Sequence, residues 1–211
     1  MIDERPNTPQ LGNERPAQYF LGDCLGVEGD LEAVNAVIAE AIQSWPTTSR
    51  LKRLAMAPLQ YRSTDLQDFE FLLCYKAIAC VGIAVWQPDT PLTLQQLQSG
   101  EELGECKKVA SAVLLHGLFV SVQAQGCGIG GLLLDELTRR ARQKKFAGIF
   151  VRAERFSTSY FEQKGFRQLN DGEELGLVPA NYPHRFLMDV SQCAEGDGSA
   201  TGITSELKVS G

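Results

Sequence analysis

Hydrophobic residues recur along this chain with two different periods, and each period predicts a different element. Ile129, Leu133, Leu137 and Ala141 are spaced four residues apart, which predicts one apolar face of a helix. The segment just before them, 110–122, is rich in β-branched and apolar residues, as a buried strand is. The pattern therefore places a buried strand shortly before an amphipathic helix.

The other apolar segments predict more strands and two helices. A first strand is expected at 17–21, and a helix follows it, with Asp30 placed to cap its start and Pro46 to stop it. Arg50–Ala57 predicts a second short helix, ended by Pro58. Further strands are predicted at 69–75, 79–86 and 185–190, the first two forming a hairpin around Lys76 and Ala77.

Polar stretches rich in proline or glycine predict where the folded domain begins and ends. Residues 1–16 contain three prolines and are interpreted as a flexible leader, and the small, polar residues 191–211 as a disordered tail. Residues 88–108 are interpreted as an excursion between two strands. One domain over residues 17–190 remains, and it is long enough to form a full core without a disulfide or a metal.

A glycine loop joins the predicted strand to the predicted helix. It consists of Gln125, Gly126, Cys127, Gly128, Ile129, Gly130 and Gly131. A helix that begins in such a loop presents unpaired N–H groups at its positive end, with no side chains in the way. This arrangement predicts an anion site, and a phosphate or pyrophosphate is the usual ligand.

Two nucleotide-binding folds use similar loops, and both fit this chain poorly. Gly126, Gly128 and Gly131 satisfy the dinucleotide pattern G-x-G-x-x-G, but five residues (121–125) separate them from the strand, and too little chain follows for further βα units. A phosphate loop of the Walker type needs Lys followed by Ser or Thr after the last glycine, whereas Leu132 follows here.

The spacing Gln125-x-x-Gly128-x-Gly130 resembles the coenzyme A pyrophosphate loop of the GNAT superfamily of acyl-coenzyme A-dependent N-acyltransferases. Other segments resemble further elements of that family in the same order. They are 79–86 for the third strand, 118–122 for the end of the fourth, 146–152 for the fifth, and 160–166 for the closing helix and turn. The resemblance extends over about residues 19–190.

The resemblance implies an α/β (α+β) fold with a mixed, mostly antiparallel sheet, helices on both faces, and fourth and fifth strands that splay apart. It implies acetyl-coenzyme A as co-substrate, with no metal. Leu118, Phe119 and Val120 would bind the pantetheine amides through their backbone, and the glycine loop (125–131) would bind the pyrophosphate. Ser157 would cap the closing helix and contact the cofactor.

The family's reaction is direct attack of a primary amine on the thioester, which needs a group that takes the amine proton and a group that protonates the thiolate. His116, interpreted as sharing a strand face with Leu114 and Leu118, is the candidate base; the alternatives are a water chain, or a core histidine bonded to a neighbour. Tyr160 is the candidate acid, although the family's tyrosine aligns with Phe161, and it could instead pack on a helix face. This departure leaves a second function open, a non-catalytic module that binds or senses acyl-coenzyme A.

Composition and net charge limit which binding partners and which cellular location are expected. The 211-residue chain is 44% hydrophobic and carries a net charge of −6, which argues against nucleic acid and mildly favours a cationic acceptor. Its six cysteines form no C-x-x-C pair, so reduced thiols and a cytoplasmic location are expected. Neither a signal peptide nor a membrane-spanning stretch is expected. The acceptor stays open between small molecules and proteins, and a homodimer is possible.

Overall fold

A computed structural model describes residues 19–23, 28–94, 110–169 and 184–190. Within these ranges seven strands form one sheet in the order β1-β2-β3-β4-β5-β7-β6. The strands are β1 Tyr19–Asp23, β2 Glu70–Lys76, β3 Ala79–Leu94, β4 Ala110–Val120, β5 Gly148–Arg152, β6 Arg167–Gln168 and β7 Arg185–Asp189. Only the β4–β5 pair is parallel; the other neighbours are antiparallel. The predicted mixed, mostly antiparallel sheet is confirmed.

Helices cover both faces of this sheet, as predicted. On one face lie α1 Glu28–Ser44 and α2 Ser49–Leu59, and on the other lie α3 Ile129–Gln143 and α4 Thr158–Gln163. The first face is buried by the apolar stripe of α1 against β2 and β3. The second is buried by the predicted stripe of α3, together with Phe161 of α4. Each face therefore has its own hydrophobic core.

The fourth and fifth strands pair over only part of their length. Their register runs from Ala112 opposite Gly148 to Leu115 opposite Val151. Beyond Leu115, β4 continues to Val120 alongside β3, while Arg152 of β5 pairs with β7. The strands thus part after Leu115, which confirms the predicted splay and opens a cleft between their carboxyl ends.

A bulge at His116 changes which face the end of β4 presents. Val85 pairs with Gly117 and Trp86 with Leu115, so His116 is an extra residue in β4. As a result Leu115 and Leu118 both pack on the α3 face, whereas His116 contacts aromatic rings of the α1 face. The expectation that His116 shares a face with Leu118 is wrong, because it assumed uninterrupted alternation along the strand.

Several boundaries also differ from the sequence expectation. The described part of α1 begins at Glu28, so Asp30 lies in its first turn rather than at its cap. Pro58 lies inside the last turn of α2, which closes through Gln60 N–H to the Met56 carbonyl at 3.2 Å. Both differences concern helix ends, where local patterns are least decisive.

The stretch expected as an excursion after Trp86 continues in part as strand. β3 extends to Leu94 and pairs there with the start of β4, across an irregularity between Gln87 and Leu92. Pro88 and Pro91 fall in that irregularity, because proline has no N–H to donate to a neighbouring strand. The rest of the expected excursion (95–108), the leader (1–16) and the tail (191–211) lie outside the described residues.

Candidate active site

The glycine loop forms a backbone cradle at the start of α3. Gly126 and Gly128 adopt φ values of +76° and +80°, which glycine accommodates without strain. No side chain caps the helix, and its first intrahelical bond runs from Leu132 N–H to the Gly128 carbonyl at 3.0 Å. The N–H groups of residues 129–131 precede that bond, so they are available to a ligand at the positive end of the helix.

Two polar side chains approach the first turn of this helix. A Cβ added at Gly130 would lie 2.7 Å from the Tyr160 hydroxyl, and one added at Gly131 would lie 2.9 Å from Lys164 Nζ. Both distances are shorter than a normal contact, so a side chain at either glycine would force a neighbouring group to shift; the exposed end of Lys164 can do so more easily than the buried Tyr160 hydroxyl.

The Tyr160 hydroxyl is buried and has no hydrogen-bond partner within the described ranges. Burial, helped by the Asp135 carboxylate, raises the pKa of Tyr160 to about 12. The hydroxyl therefore stays protonated at neutral pH and can donate. A buried hydroxyl without a partner costs about 1–3 kcal/mol, so the arrangement favours a ligand that accepts its proton.

Phe161, at the position where the family's tyrosine lies, points elsewhere. Its ring packs against Phe166 and Phe186, with centroids 5.3 and 6.3 Å away. In this chain the tyrosine therefore stands one residue before the family's position. Phe161 packs into the hydrophobic core on the α3 face, and the Tyr160 hydroxyl lies at the cradle.

Lys164 brings a positive charge to the positive end of α3. The helix dipole disfavours an ammonium there unless an anion is bound nearby. Lys164 forms no salt bridge with another residue of the ranges that the structure describes. Sequence reasoning missed this residue, because nothing in its local pattern distinguishes it from a solvated lysine.

The Gln125 side chain links the glycine loop to β4 and α1 by hydrogen bonds. Its side-chain amide donates to the Val120 carbonyl and to Ser44 Oγ, both at 3.2 Å. The amide thus links the end of β4 to the end of α1. Its immediate partners are protein groups, so it acts on the cradle by holding the loop in place.

His116 forms a hydrogen bond with a tyrosine that was not among the predicted site residues. The Tyr61 hydroxyl lies 2.6 Å from His116 Nδ1. Burial and the Arg152 charge lower the pKa of His116, while the Asp65 carboxylate opposes them. The imidazole is therefore neutral at neutral pH, the state that a base requires.

A cavity of about 870 Å³ connects the cradle with His116 along the splayed strands. Of the predicted site residues, it is lined by His116, Leu118, Phe119, Val120, Gln125, Gly126, Gly128, Ile129, Gly130, Gly131, Ser157 and Tyr160. Cys127, the remaining predicted loop residue, is exposed and is not part of the lining. Ser157 does not cap α4 as predicted, because its hydroxyl donates to the Glu154 carbonyl at 2.8 Å.

An aromatic pair forms part of the cavity lining. Trp45, after α1, and Phe156, after β5, have ring centroids 5.0 Å apart. Pro58 and Leu59 of α2 extend the apolar wall, and Arg152 and Glu154 add one charge of each sign. None of these residues has a sequence signature, since they meet only through the tertiary fold.

The described residues hold no group of His, Cys, Asp and Glu that could bind a metal ion. Among the described residues, Cys74, Cys80 and Cys127 are not in disulfide bonds. No helix in these ranges combines the length and apolar character needed to cross a membrane.

Comparisons with known proteins agree with this geometry. Residues 98–177, which contain the cradle, His116 and Tyr160, match the family model described as acetyltransferase (GNAT) domain. A search of curated proteins found no match. The sequence match over residues 98–177 and the shared fold together support a relationship with the GNAT superfamily.

Solved structures share the fold at low sequence identity. An acetyltransferase of the GNAT family from Desulfovibrio desulfuricans is 15% identical, with a TM-score of 0.55 over 82% of this chain and 99% of that one. PaiA N-acetyltransferase from Thermoplasma acidophilum, in complex with coenzyme A, is 13% identical, with a TM-score of 0.56 over 81% and 98%. N-acetylglutamate synthase from Neisseria gonorrhoeae, with coenzyme A and L-arginine, is 17% identical, with a TM-score of 0.52 over 84% of this chain and 34% of that one.

Proposed function

We propose that this protein is an N-acetyltransferase that moves an acetyl group from acetyl-coenzyme A to a primary amine by direct attack. The observation that carries the proposal is the convergence at the first turn of α3. Free backbone N–H groups, the Lys164 ammonium and the unpartnered Tyr160 hydroxyl meet there, at one end of a cavity that reaches His116.

The residues at this turn fit coenzyme A. The N–H groups of residues 129–131 would bind pyrophosphate oxygens, and Lys164 would neutralise part of their charge. The end of β4 beyond Leu115 has no β5 partner, so its backbone can bond the pantetheine amides there. Leu118, Phe119 and Val120 belong to this free stretch and line the cavity.

In this proposal Tyr160 protonates the leaving thiolate, which requires the thioester sulfur to come within hydrogen-bond reach of its hydroxyl. As the C–N bond forms and the C–S bond breaks, the sulfur gains the electron pair of the broken bond and needs a proton. A hydroxyl that remains protonated at neutral pH and lacks a protein acceptor can supply it.

In this proposal His116 takes the proton that the amine loses on attack. Its ring is neutral at neutral pH, lies at the bulge where the two strands part, and lines the cavity. The two proton transfers balance the reaction, whose products are the N-acetylated amine and coenzyme A. The acceptor would lie against the wall formed by Trp45, Phe156, Pro58 and Leu59.

A screen of primary amines with acetyl-coenzyme A tests the proposal, with thiol release as the rate and mass spectrometry identifying the acetylated product. We expect turnover of at least one amine by the wild type and a loss of about 10²-fold in His116→Ala. His184→Ala, which changes the only other histidine, is the matched control and should retain the rate.

The sensor alternative predicts a different result. Phe161 at the family's tyrosine position is the observation that favours it. Calorimetry should then show coenzyme A binding while no amine is acetylated, and that outcome would contradict the proposed reaction. Failure to bind coenzyme A at all would contradict both functions.

A further inference from the structure

We propose that the acceptor is a lipophilic primary monoamine, whose amino group reaches His116 and whose apolar body lies along one face of α2. This α2 apolar face consists of Leu51, Leu54, Ala55 and Pro58. The inference rests on the proposed function, because it names the class of amine that the same site takes.

The α2 apolar face continues the wall of the cavity outward. Its four residues are spaced i, i+3, i+4 and i+7, so they form one stripe along the helix. Ala55 and Pro58 line the cavity. Leu51 and Leu54 lie one turn before them and are 53% and 62% exposed. Because one turn of helix advances about 5.4 Å, the apolar surface extends about that far beyond the cavity lining.

The fold does not use this face for packing. No residue of α2 is buried, and the helix contacts the α1-side core through Met56 and Leu59 instead. Single exposed apolar side chains are common on protein surfaces and need no explanation. Here, however, three of the six exposed large apolar side chains of the described residues lie on this cavity wall or one helical turn from it, namely Leu51, Leu54 and Phe156.

The aromatic pair adds a second apolar surface to the same cavity. Trp45 and Phe156 both line it, with ring centroids 5.0 Å apart, and Phe156 is 38% exposed. An amine with a hydrocarbon body removes both surfaces from water when it binds, whereas a polar amine leaves them wet or loses its own hydration against them.

The charges around the cavity favour a single positive charge on the acceptor. Among the described residues, its charged lining consists of Lys164 at the cradle, together with Arg152 and Glu154. Arg152 and Glu154 offset each other, and α2 adds three basic residues and no acidic one. A second ammonium on the acceptor would therefore meet one carboxylate and an excess of basic groups, although the whole chain has a net charge of −6.

An apolar body also suits the proton transfer. Burial and the Arg152 charge lower the pKa of His116, and both influences act in the same direction on an ammonium bound beside the ring. A lipophilic acceptor excludes water from around its amino group, which increases the desolvation. The neutral form of the amine, which attacks the thioester, is thereby favoured.

The first test compares primary amines that differ only in the apolar body, with kcat/KM measured by thiol release at saturating acetyl-coenzyme A. From ethylamine to octylamine we expect kcat/KM to rise about fourfold for each methylene that becomes buried. Octylamine and 1,8-diaminooctane differ only at the far end, and the diamine should be poorer by about tenfold or more. A flat series, or a diamine that equals octylamine, would overturn the proposal.

The second test uses the double variant Leu51→Ser/Leu54→Ser, which should fold because both side chains are exposed. Ile78→Ser is the matched control, since Ile78 is 97% exposed at the turn between β2 and β3. We expect the double variant to lower kcat/KM for octylamine about tenfold and to leave that for ethylamine within about twofold. An equal loss on both amines, or no loss on octylamine, would overturn the assignment of the α2 apolar face.

Failure of this inference is distinguishable from failure of the proposed function. Faster acetylation of a polar acceptor, such as lysine in a peptide, than of octylamine would overturn the lipophilic class and leave the reaction intact. Acetylation of no amine at all, with coenzyme A still bound, would overturn the proposed function.

Discussion

Gly130 and Tyr160 form a contact that permits a double-mutant test of the proposed acid. A Cβ at Gly130 would lie 2.7 Å from the Tyr160 hydroxyl, against about 3.4 Å for an ordinary contact, so Gly130→Ala must move that hydroxyl by about 0.7 Å. Tyr160→Phe removes the clashing atom, and the nearest ring atom is then Cζ at 3.3 Å. The two substitutions should therefore interact strongly.

The expected sizes follow from this geometry. Removal of a positioned acid costs about 10²-fold in kcat, which is about 2.7 kcal/mol. A displacement of about 0.7 Å should cost about tenfold or more, since an error of 1 Å can cost about 10²-fold. In the Tyr160→Phe background, Gly130→Ala should lower kcat by less than about twofold.

Stability gives an independent measurement on the same variants. The hydroxyl of Tyr160 is buried without a partner in the described structure, so Tyr160→Phe should leave the free energy of unfolding unchanged or raise it by up to about 1 kcal/mol. Urea unfolding measures this without cofactor. A variant that is as stable as the wild type yet loses turnover separates the functional role from a packing role.

The assay is kcat and KM for all four proteins of the cycle, with thiol release as the signal. Additive losses would refute the reasoning, because they would mean that Gly130→Ala acts on the cradle rather than through Tyr160. Full activity of Tyr160→Phe would refute it more directly, since no acid role would remain for that hydroxyl.

Two further predictions concern charge. Lys164→Gln should raise the Kd for coenzyme A about 5- to 30-fold, for the loss of about 1–2 kcal/mol from a charge-assisted phosphate contact, while Lys145→Gln, beyond the far end of α3, should leave calorimetric affinity unchanged. Folding lowers the pKa of His116, so between that pKa and 6.5 the unfolded chain binds more protons than the folded protein does. The neutral His116 ring therefore contributes its full stability above pH 6.5, and this contribution is lost as the pH falls. His116→Asn should make the free energy of unfolding, measured in urea, depend less steeply on pH on the acid side; an unchanged slope would contradict this sign.

The sequence predicted those parts of the molecule that depend on neighbours along the chain. The apolar stripe of α3 is spaced at four residues, and the glycine loop lies directly before it, so both could be read locally. The strand pattern of 110–122 was equally local, and the sheet it belongs to follows from the family resemblance. The two-residue strand β6 was missed, because two exposed residues carry no period.

The missed site residues depend on contacts between distant segments. Tyr61 meets His116 across 55 residues of sequence, and Asn35, whose side chain bonds the Tyr61 backbone, is 26 residues away from it. The bulge that turns His116 toward Tyr61 comes from the pairing of β3 with β4, so alternation along β4 alone gave the wrong face. Trp45, which follows α1, and Phe156, which follows β5, likewise meet only through the tertiary fold.

The energetics of the cradle favour a ligand-binding over a purely structural interpretation. Its unpartnered tyrosine hydroxyl costs about 1–3 kcal/mol, and a lysine at a helix N-terminus costs roughly 0.3–1 kcal/mol. Selection for stability alone would replace Tyr160 by Phe and Lys164 by a neutral residue, since neither change would open a cavity in the core. Both costs occur within one helical turn, and a ligand that brings phosphate oxygens to this turn relieves both, because those oxygens can accept a hydrogen bond from the hydroxyl and balance the charge of the lysine. An acyl-coenzyme A carries such a pyrophosphate.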